Sequence, residues 1–233
     1  MSDTEIPVPG FVLAALASPR RSQEDRDRDA VRRLDELLTY VGVRPGWQVA
    51  DLMASRGYVA AALAALVGDT GKVYAHNSPA LLARFKGDNP IDARIRDQGI
   101  RNLFSLVAEL EAPGLPAGQL DAVFSVMFYH DTVWVGTDRS AMNKAVFAAL
   151  KPGGIYAVVD HHAPPGTGIG HARDLHRIDR ETVTAEVAAA GFELADQSDF
   201  LENPDDPLTV MVHDKTVRDV TSKFVLKFVK PLA

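Results

Sequence analysis

Seven histidines occur in the chain, and five of them, His130, His161, His162, His171 and His176, fall in one stretch of the C-terminal half. Imidazole is the side chain that ordinarily titrates nearest neutrality, so a run of this kind points to proton transfer or to metal ligation. Carboxylates accompany it: Asp131 follows Tyr129-His130, Asp160 precedes His161, and Asp179 lies three residues after His176. Tyr129, His130, Asp131, Asp160, His161 and His176 are therefore the candidate catalytic residues, with an imidazole accepting a proton and Asp131 or Asp160 orienting it. His130, Asp131, Asp160, His161, His176 and Asp179 also offer the mixed nitrogen and oxygen donors that suit zinc, iron or manganese. No tight ligand motif fixes such a site, so no residue is assigned to a metal. Asp179 also stands where a cap is expected for a helix starting near Arg180. His162 and His171 read more simply as hydrogen-bonded structural residues.

A second segment of interest is Asp51-Leu52-Met53-Ala54-Ser55-Arg56-Gly57-Tyr58. It follows a short apolar run, Trp47 to Met53, that is too brief for a helix and reads as a buried strand. A ligand-binding turn after such a strand normally carries several glycines, which let the backbone approach the ligand closely. Only Gly57 is present here, so a modified cofactor turn and an ordinary strand-to-helix turn both stay open.

The elements that would position these residues alternate. After the first strand come a helix over 59–67, a strand over 72–75, helical material over 79–98 and a strand over 103–107. A fourth strand over 121–128, a helix over 140–150, the turn Lys151-Pro152-Gly153-Gly154 and a fifth strand over 155–159 follow. Continuous apolar strands separated by helices predict an α/β fold with a doubly wound, mostly parallel sheet. Ligands in such sheets bind beyond the carboxyl ends of the strands, which is where the histidines fall. The pattern then changes: a helix over 180–190 leads to a strand over 192–195, and the last strand spans 223–229. Asn203-Pro204-Asp205-Asp206-Pro207 cannot sit in a central strand, so the last two strands are expected to be joined by a long loop and to form an antiparallel edge at the C-terminus. Phe124, Phe128 and Phe147 are assigned to the core, and Trp134 with Val133 and Val135 to the core or to a lid over the substrate.

Ahead of the first strand, Val31, Leu34, Leu37, Leu38 and Val41 form one apolar stripe of a helix, stopped by Gly42 and Pro45-Gly46. The mixed-sign run over 19–29 reads as a solvated helix start. The short apolar run over 11–18 is preceded by Asp3 and Glu5 with no Lys or Arg, unlike an export signal, and reads as a docking segment. No apolar run approaches the roughly 20 residues that span a bilayer, so a cytoplasmic location is expected.

The chain has 233 residues, 25 Lys and Arg against 31 Asp and Glu, and 46% hydrophobic residues. That length favours one large domain with a substantial core. A net charge of −6, with no long basic run, lacks the footprint of nucleic-acid binding. The absence of cysteine excludes disulfides, thiolate zinc sites, iron–sulfur ligation and a cysteine nucleophile.

Taken together these segments resemble the class I S-adenosylmethionine-dependent methyltransferase superfamily, and within it a bacterial family of predicted methyltransferases of undefined substrate. The resemblance covers most of the chain. It is carried by the opening helix before Val43-Arg44-Pro45-Gly46, the segment 49–57, Gly71-Lys72-Val73-Tyr74-Ala75-His76-Asn77, Phe128-Tyr129-His130-Asp131, Leu150-Lys151-Pro152-Gly153-Gly154, Asp160-His161, His176-Arg177-Ile178-Asp179 and the segment 223–231. It implies a Rossmann-like methyltransferase domain over 41–233, with an N-terminal helical segment, 1–40, packed on it. It also implies S-adenosylmethionine as cofactor, held by Asp51, Met53, Ala54, Ser55, Gly57 and Asn77, with Asn77 near the ribose or adenine. Two departures bear on that site. Ala54, Ser55 and Arg56 stand where relatives carry glycines, so their bulk is expected to narrow the site and weaken or abolish binding. The second strand ends in His76 and Asn77 where the wider class places an acid for the ribose. The expected partner is a small-molecule acceptor, with a homodimer left open and neither nucleic acid nor membrane expected. The competing expectations are a relative that has lost the cofactor and serves as a binding module, and a metal-dependent enzyme using the His/Asp cluster.

Overall fold

The structure, a computed structural model, describes residues 6–86 and 88–232. Residues 1–5 of the expected N-terminal segment, Asp3 and Glu5 among them, and residue 87 of the expected helical stretch lie outside the described residues. Seven strands form one sheet: β1 (Gln48–Leu52), β2 (Lys72–Asn77), β3 (Leu103–Val107), β4 (Leu120–Val126), β5 (Leu150–His161), β6 (Glu193–Ser198) and β7 (Lys223–Val229), in the order β3-β2-β1-β4-β5-β7-β6. The pairings β1–β2, β2–β3, β1–β4 and β4–β5 are parallel. Strand β7 is antiparallel to both β5 and β6, which gives the expected antiparallel edge, with the last strand inserted between its neighbours.

Alternate residues of the central strands feed two cores. Val49, Ala122, Phe124, Ala157 and Val159 face one layer; Ala50, Val123, Tyr156, Val158 and Leu226 face the other. The first layer is built by α1 (Gly10–Leu16), α3 (Leu34–Val41) and α4 (Tyr58–Val67). Helix α4 is apolar almost all round and buried along nearly its whole length, as expected of a helix covered on both sides. The second layer holds α8 (Arg139–Ala149) and α9 (Arg180–Ala188). No helix among the described residues is long and apolar enough to cross a membrane.

Several expected elements differ in extent. The stripe Val31 to Val41 is split between α2 (Gln23–Arg32) and α3 by Arg33, whose φ is +44°; the break turns Val31 out to solvent while Leu34, Leu37, Leu38 and Val41 stay buried. The stretch 79–98 holds two helices, α5 (Pro79–Ala83) and α6 (Pro90–Gln98). Pro90 disfavours the helical state at Asn89, whose side chain instead caps α6 by accepting from Ile91 N–H at 3.0 Å. Strand β4 ends at Val126, so Phe128 lies beyond it, buried near the strand end. The Lys151-Pro152-Gly153-Gly154 turn is a loop-out inside the long β5: the register passes from Leu120↔Leu150 to Ala122↔Ile155.

The long connection between β6 and β7 is pinned by Arg177, which is fully buried. Its guanidinium pairs with both carboxylate oxygens of Asp206 at 2.9 Å and donates to the carbonyls of His162 and Val210. Asp206 in turn accepts from the backbone N–H groups of Leu208 and Ser222. Removing one partner leaves a buried charge uncompensated. Asp206→Ala should therefore lower unfolding stability by roughly 3–5 kcal/mol in urea titration, and the paired replacement Arg177→Met with Asp206→Leu should cost clearly less.

Candidate functional site

The turn after β1 takes a shape usually left to glycine. Met53, Ser55 and Gly57, alternate residues, have φ values of +52°, +54° and +79°. Gly57 caps α4; its φ of +79° favours glycine, and a Cβ there would lie 2.8 Å from Ile91 Cδ1 and push that side chain of α6 aside. The turn is held by Asn77 at the end of β2: its Oδ1 accepts from Ser55 N–H at 2.8 Å and its Nδ2 donates to Ser55 O at 3.0 Å. Asn77 is buried and its amide is spent on the turn. The adjacent His76 is also buried, its Nε2 donating to the Ala108 carbonyl at 2.9 Å, and burial lowers its pKa.

Asp51, the penultimate residue of β1, is 3% exposed, and its Oδ2 has no hydrogen-bond partner among the described residues. Burial raises its carboxyl to about 7, opposed by the backbone N–H of Ala60 in α4. Such an orphaned carboxylate oxygen beside a ligand-binding turn suits a cationic or hydrogen-bond-donating ligand.

The histidine side is built at the ends of β4 and β5. After β4 the chain enters α7 (Asp131–Val135), and Asp160, near the end of β5, is fully buried beneath it. Asp160 Oδ2 accepts from His130 N–H at 2.8 Å; Oδ1 accepts from His161 N–H at 2.7 Å and lies 2.7 Å from His130 Nδ1. The far nitrogen of His130, Nε2, is 3.1 Å from Asp131 Oδ1 and 3.3 Å from His176 Nδ1. Burial works against a charged His130, but Asp160 and Asp131 outweigh it and push the imidazole up to about 10. His161 behaves in the opposite way: burial and the neighbouring cations hold its pKa well below the ordinary value, and its Nδ1 meets Thr221 Oγ1 at 2.9 Å.

One cleft of about 750 Å³ joins the two sides. Asp51, Met53, Ala54 and Ser55 line one end, and His130, Asp131, His161 and His176 the other, with Trp134 at the rim. Tyr129 is not among them: its hydroxyl donates to Glu186 at 2.9 Å and accepts from Asn143, on the far side of the chain from its neighbour His130. Asp179 caps α9 and accepts from Gly166 N–H, apart from the cluster. His162 pairs with Glu202. Val133 packs on the core, whereas Trp134 is more than a third exposed and donates to Asp131 Oδ1 at 3.1 Å. Arg28, Arg32, Arg84, Arg173 and His213 also line the cleft. They come from α2, the C-cap of α5 and the loops, so no local motif in the sequence marks them. Among the described residues eight non-glycine residues have positive φ, and Met53, Ser55, Met127 and His176, half of them, line this cleft. Backbone strain is thus concentrated where a ligand would sit.

The strand order switches between β1 and β4, and the cleft opens there, beyond the carboxyl ends of the strands. Over 94% of this chain and 96% of its own, the structure of an S-adenosylmethionine-dependent methyltransferase from Aquifex aeolicus superposes with a TM-score of 0.65 at 16% identity. In sequence, the chain is 27% identical over 181 residues to the ubiquinone/menaquinone biosynthesis C-methyltransferase UbiE of Edwardsiella ictaluri, covering 65% of this chain and 68% of that one. It is 33% identical over 139 residues to the UbiE of a Shewanella species, covering 58% of this chain and 51% of that protein. The chain thus shares the fold of S-adenosylmethionine-dependent methyltransferases and is similar in sequence to C-methyltransferases, in line with the class I resemblance of its motifs. No protein-family model matches it, and the matched part spans only about half of most of those UbiE relatives. The turn after β1 keeps a left-handed backbone at Met53 and Ser55 without glycine.

Two outcomes follow from the geometry of the turn and of Asp51. Left-handed φ costs a residue with a Cβ about 1–2 kcal/mol, partly offset by the greater freedom of glycine in the unfolded chain. Met53→Gly and Ser55→Gly should each raise stability by roughly 0.5–1 kcal/mol in urea unfolding. For Asp51, a folded-state pKa above the unfolded value makes ionisation a cost that is absent at low pH, grows as pH rises to about 7 and is constant beyond. The stability advantage of Asp51→Asn over the wild type, measured by urea midpoint, should therefore widen from pH 5 to 7 and level off by pH 8.

Proposed function

We propose that the protein is an S-adenosylmethionine-dependent methyltransferase acting on a small-molecule acceptor. The observation that carries this reading is the single cleft that holds both the Asp51–Ser55 turn and the His130–Asp131–His161–His176 cluster, so donor and acceptor would meet within one enclosure.

On the cofactor side the residues present fit the group. Asp51 offers an unpartnered buried carboxylate oxygen to the amino or sulfonium end, and the backbone at Met53, Ala54 and Ser55 lies along the cleft. Gly57 and Asn77 act through the turn: the first seats α4, the second holds Ser55 by two hydrogen bonds. The guanidinium of Arg56 stacks over Phe85, 5.0 Å from the ring centre, which draws its charge towards the outer wall. Bound there, S-adenosylmethionine supplies a sulfonium-activated methyl group whose carbon–sulfur bond breaks with the electron pair remaining on sulfur.

On the acceptor side, His130, Asp131 and His176 bind and orient the nucleophile, and alignment of the two partners is the main demand of in-line transfer. His161, whose buried imidazole meets the Thr221 hydroxyl through Nδ1, takes the proton released by the acceptor. Arg28, Arg84 and Arg173 at the cleft walls favour an acceptor bearing a carboxylate or phosphate.

Calorimetric titration with S-adenosylmethionine and S-adenosylhomocysteine tests the reading. One-to-one binding is expected, weaker at pH 6 than at pH 8 because protonated Asp51 no longer accepts from the ligand, and tighter when Ser55 and Arg56 are both replaced by glycine. With an acceptor in hand, His130→Ala and His161→Ala should each lower turnover by roughly 10²-fold. No binding of either compound at millimolar concentration would leave the fold as a binding module that has lost the cofactor.

A further inference from the structure

The histidine cluster has a geometry that acceptor binding alone does not call for. His130 Nε2, His176 Nδ1 and Asp131 Oδ1 are mutually close: 3.3 Å between the two imidazole nitrogens, 3.1 Å from His130 to Asp131, and 3.3 Å from His176 to Asp131. With metal–ligand bonds of about 2.0–2.2 Å, donors on adjacent vertices of a tetrahedron or octahedron stand roughly 2.8–3.6 Å apart. All three separations fall in that interval, so the three atoms form one face of a coordination polyhedron. Donor atoms this close together call for a positive charge at a point between them. A proton shared between His130 and Asp131 supplies it to two of the atoms; a metal ion at that point reaches all three.

The surroundings are those of a ligating triad. Asp160, fully buried, accepts from His130 Nδ1 and from the His130 backbone N–H, which places the proton on Nδ1 and aims the Nε2 electron pair at the shared point. A carboxylate behind a ligating imidazole is the usual way that ring orientation and basicity are set at metal centres. Trp134 fixes Asp131 through its indole N–H. His176 reaches the cluster from a backbone φ of +55°, a conformation that a residue with a Cβ keeps only when its surroundings hold it there. His161 and Asp179 drop out of the donor set, the first turned to Thr221 and the second to the N-terminus of α9.

We propose that His130, Asp131 and His176 form a two-imidazole, one-carboxylate site for a divalent transition metal, with the remaining coordination positions open to the cleft. With no thiolate in the chain, the donors suit zinc, iron(II) or manganese(II). The open positions take water or an oxygen of a small anionic ligand, and an acceptor hydroxyl bound there is acidified by the cation. The site does not depend on methyl transfer, since the metal can be titrated with no cofactor present.

Protein stripped with chelator and dialysed is titrated with zinc sulfate by calorimetry, and with cobalt(II) by visible absorption, in the absence of any cofactor. One equivalent of each is expected to bind at micromolar or lower concentration and to raise the thermal midpoint. Asp131→Ala and His176→Asn should each weaken zinc binding by at least 10-fold; asparagine tolerates the left-handed backbone at position 176, so this variant keeps the fold. Asp160→Asn should weaken zinc binding by 10–100-fold through His130, and His162→Ala, outside the cluster, should leave it unchanged. Failure of the stripped protein to bind either metal at up to millimolar concentration, or unchanged affinity in both Asp131→Ala and His176→Asn, overturns the assignment.

Discussion

The site depends on one buried carboxylate. Asp160 sits near the end of β5 with no exposure to solvent, and its two oxygens receive the backbone N–H of His130, the backbone N–H of His161 and the ring of His130. A buried charge without partners is costly, so these bonds are obligatory to the fold as well as to the site. They tie the loop after β4 to the end of β5, which fixes where α7 begins and hence where Asp131 and Trp134 project. His130 and His161 take their positions from this residue directly, and Asp131 follows from His130.

The opposite side of the cleft is organised by a neutral amide in place of a charge. Asn77 pairs with both the N–H and the carbonyl of Ser55, as a strand would pair with its neighbour, and so extends the β1–β2 register into the turn. That pairing holds Met53 and Ser55 in left-handed backbone without glycine. The turn therefore keeps the shape of a close-approach loop, while its side chains stand where open backbone would otherwise face a ligand. Strain at Met53 and Ser55 on one wall, and at Met127 and His176 on the other, is maintained by packing around the cleft.

The strands were legible because β1, β3, β4 and β5 are short, mostly apolar runs bounded by turn residues, although β3 is an edge strand that leaves Phe104 and Val107 exposed. The order of the sheet was only partly legible. The loss of alternation after Gly191 implied an antiparallel edge, yet nothing local in Lys223–Val229 tells that it inserts between β5 and β6. The split at Arg33 was hidden because a left-handed arginine leaves no mark in the apolar periodicity. Placing His130, Asp131, Asp160 and His161 at one sheet edge needed only the positions of the strand ends. Tyr129 shows the limit of that reasoning: adjacent residues at a strand-to-helix turn point to different sides, and its hydroxyl went to Glu186 and Asn143. The role of Asn77 was equally hidden, since it depends on the backbone of a residue 22 positions away, and the Arg177–Asp206 pair joins residues 29 apart with no motif between them.

Charge is distributed against the chain's overall sign. With a net charge of −6, the protein nevertheless lines this cleft with Arg28, Arg32, Arg56, Arg84 and Arg173 against two carboxylates, Asp51 and Asp131. A cleft of one sign on a body of the other focuses its field at the opening and draws small anions towards it. Arg28, Arg56, Arg84 and Arg173 are exposed, and at physiological salt their reach is cut to about 8 Å, so they guide a ligand more than they hold it. Holding falls to the deeper groups, where water is scarce and each contact is stronger. On the function proposed above, that division of labour suits an acceptor that is gathered from solution and then aligned: the arginines would act on approach, and the groups set by Asp160 on position.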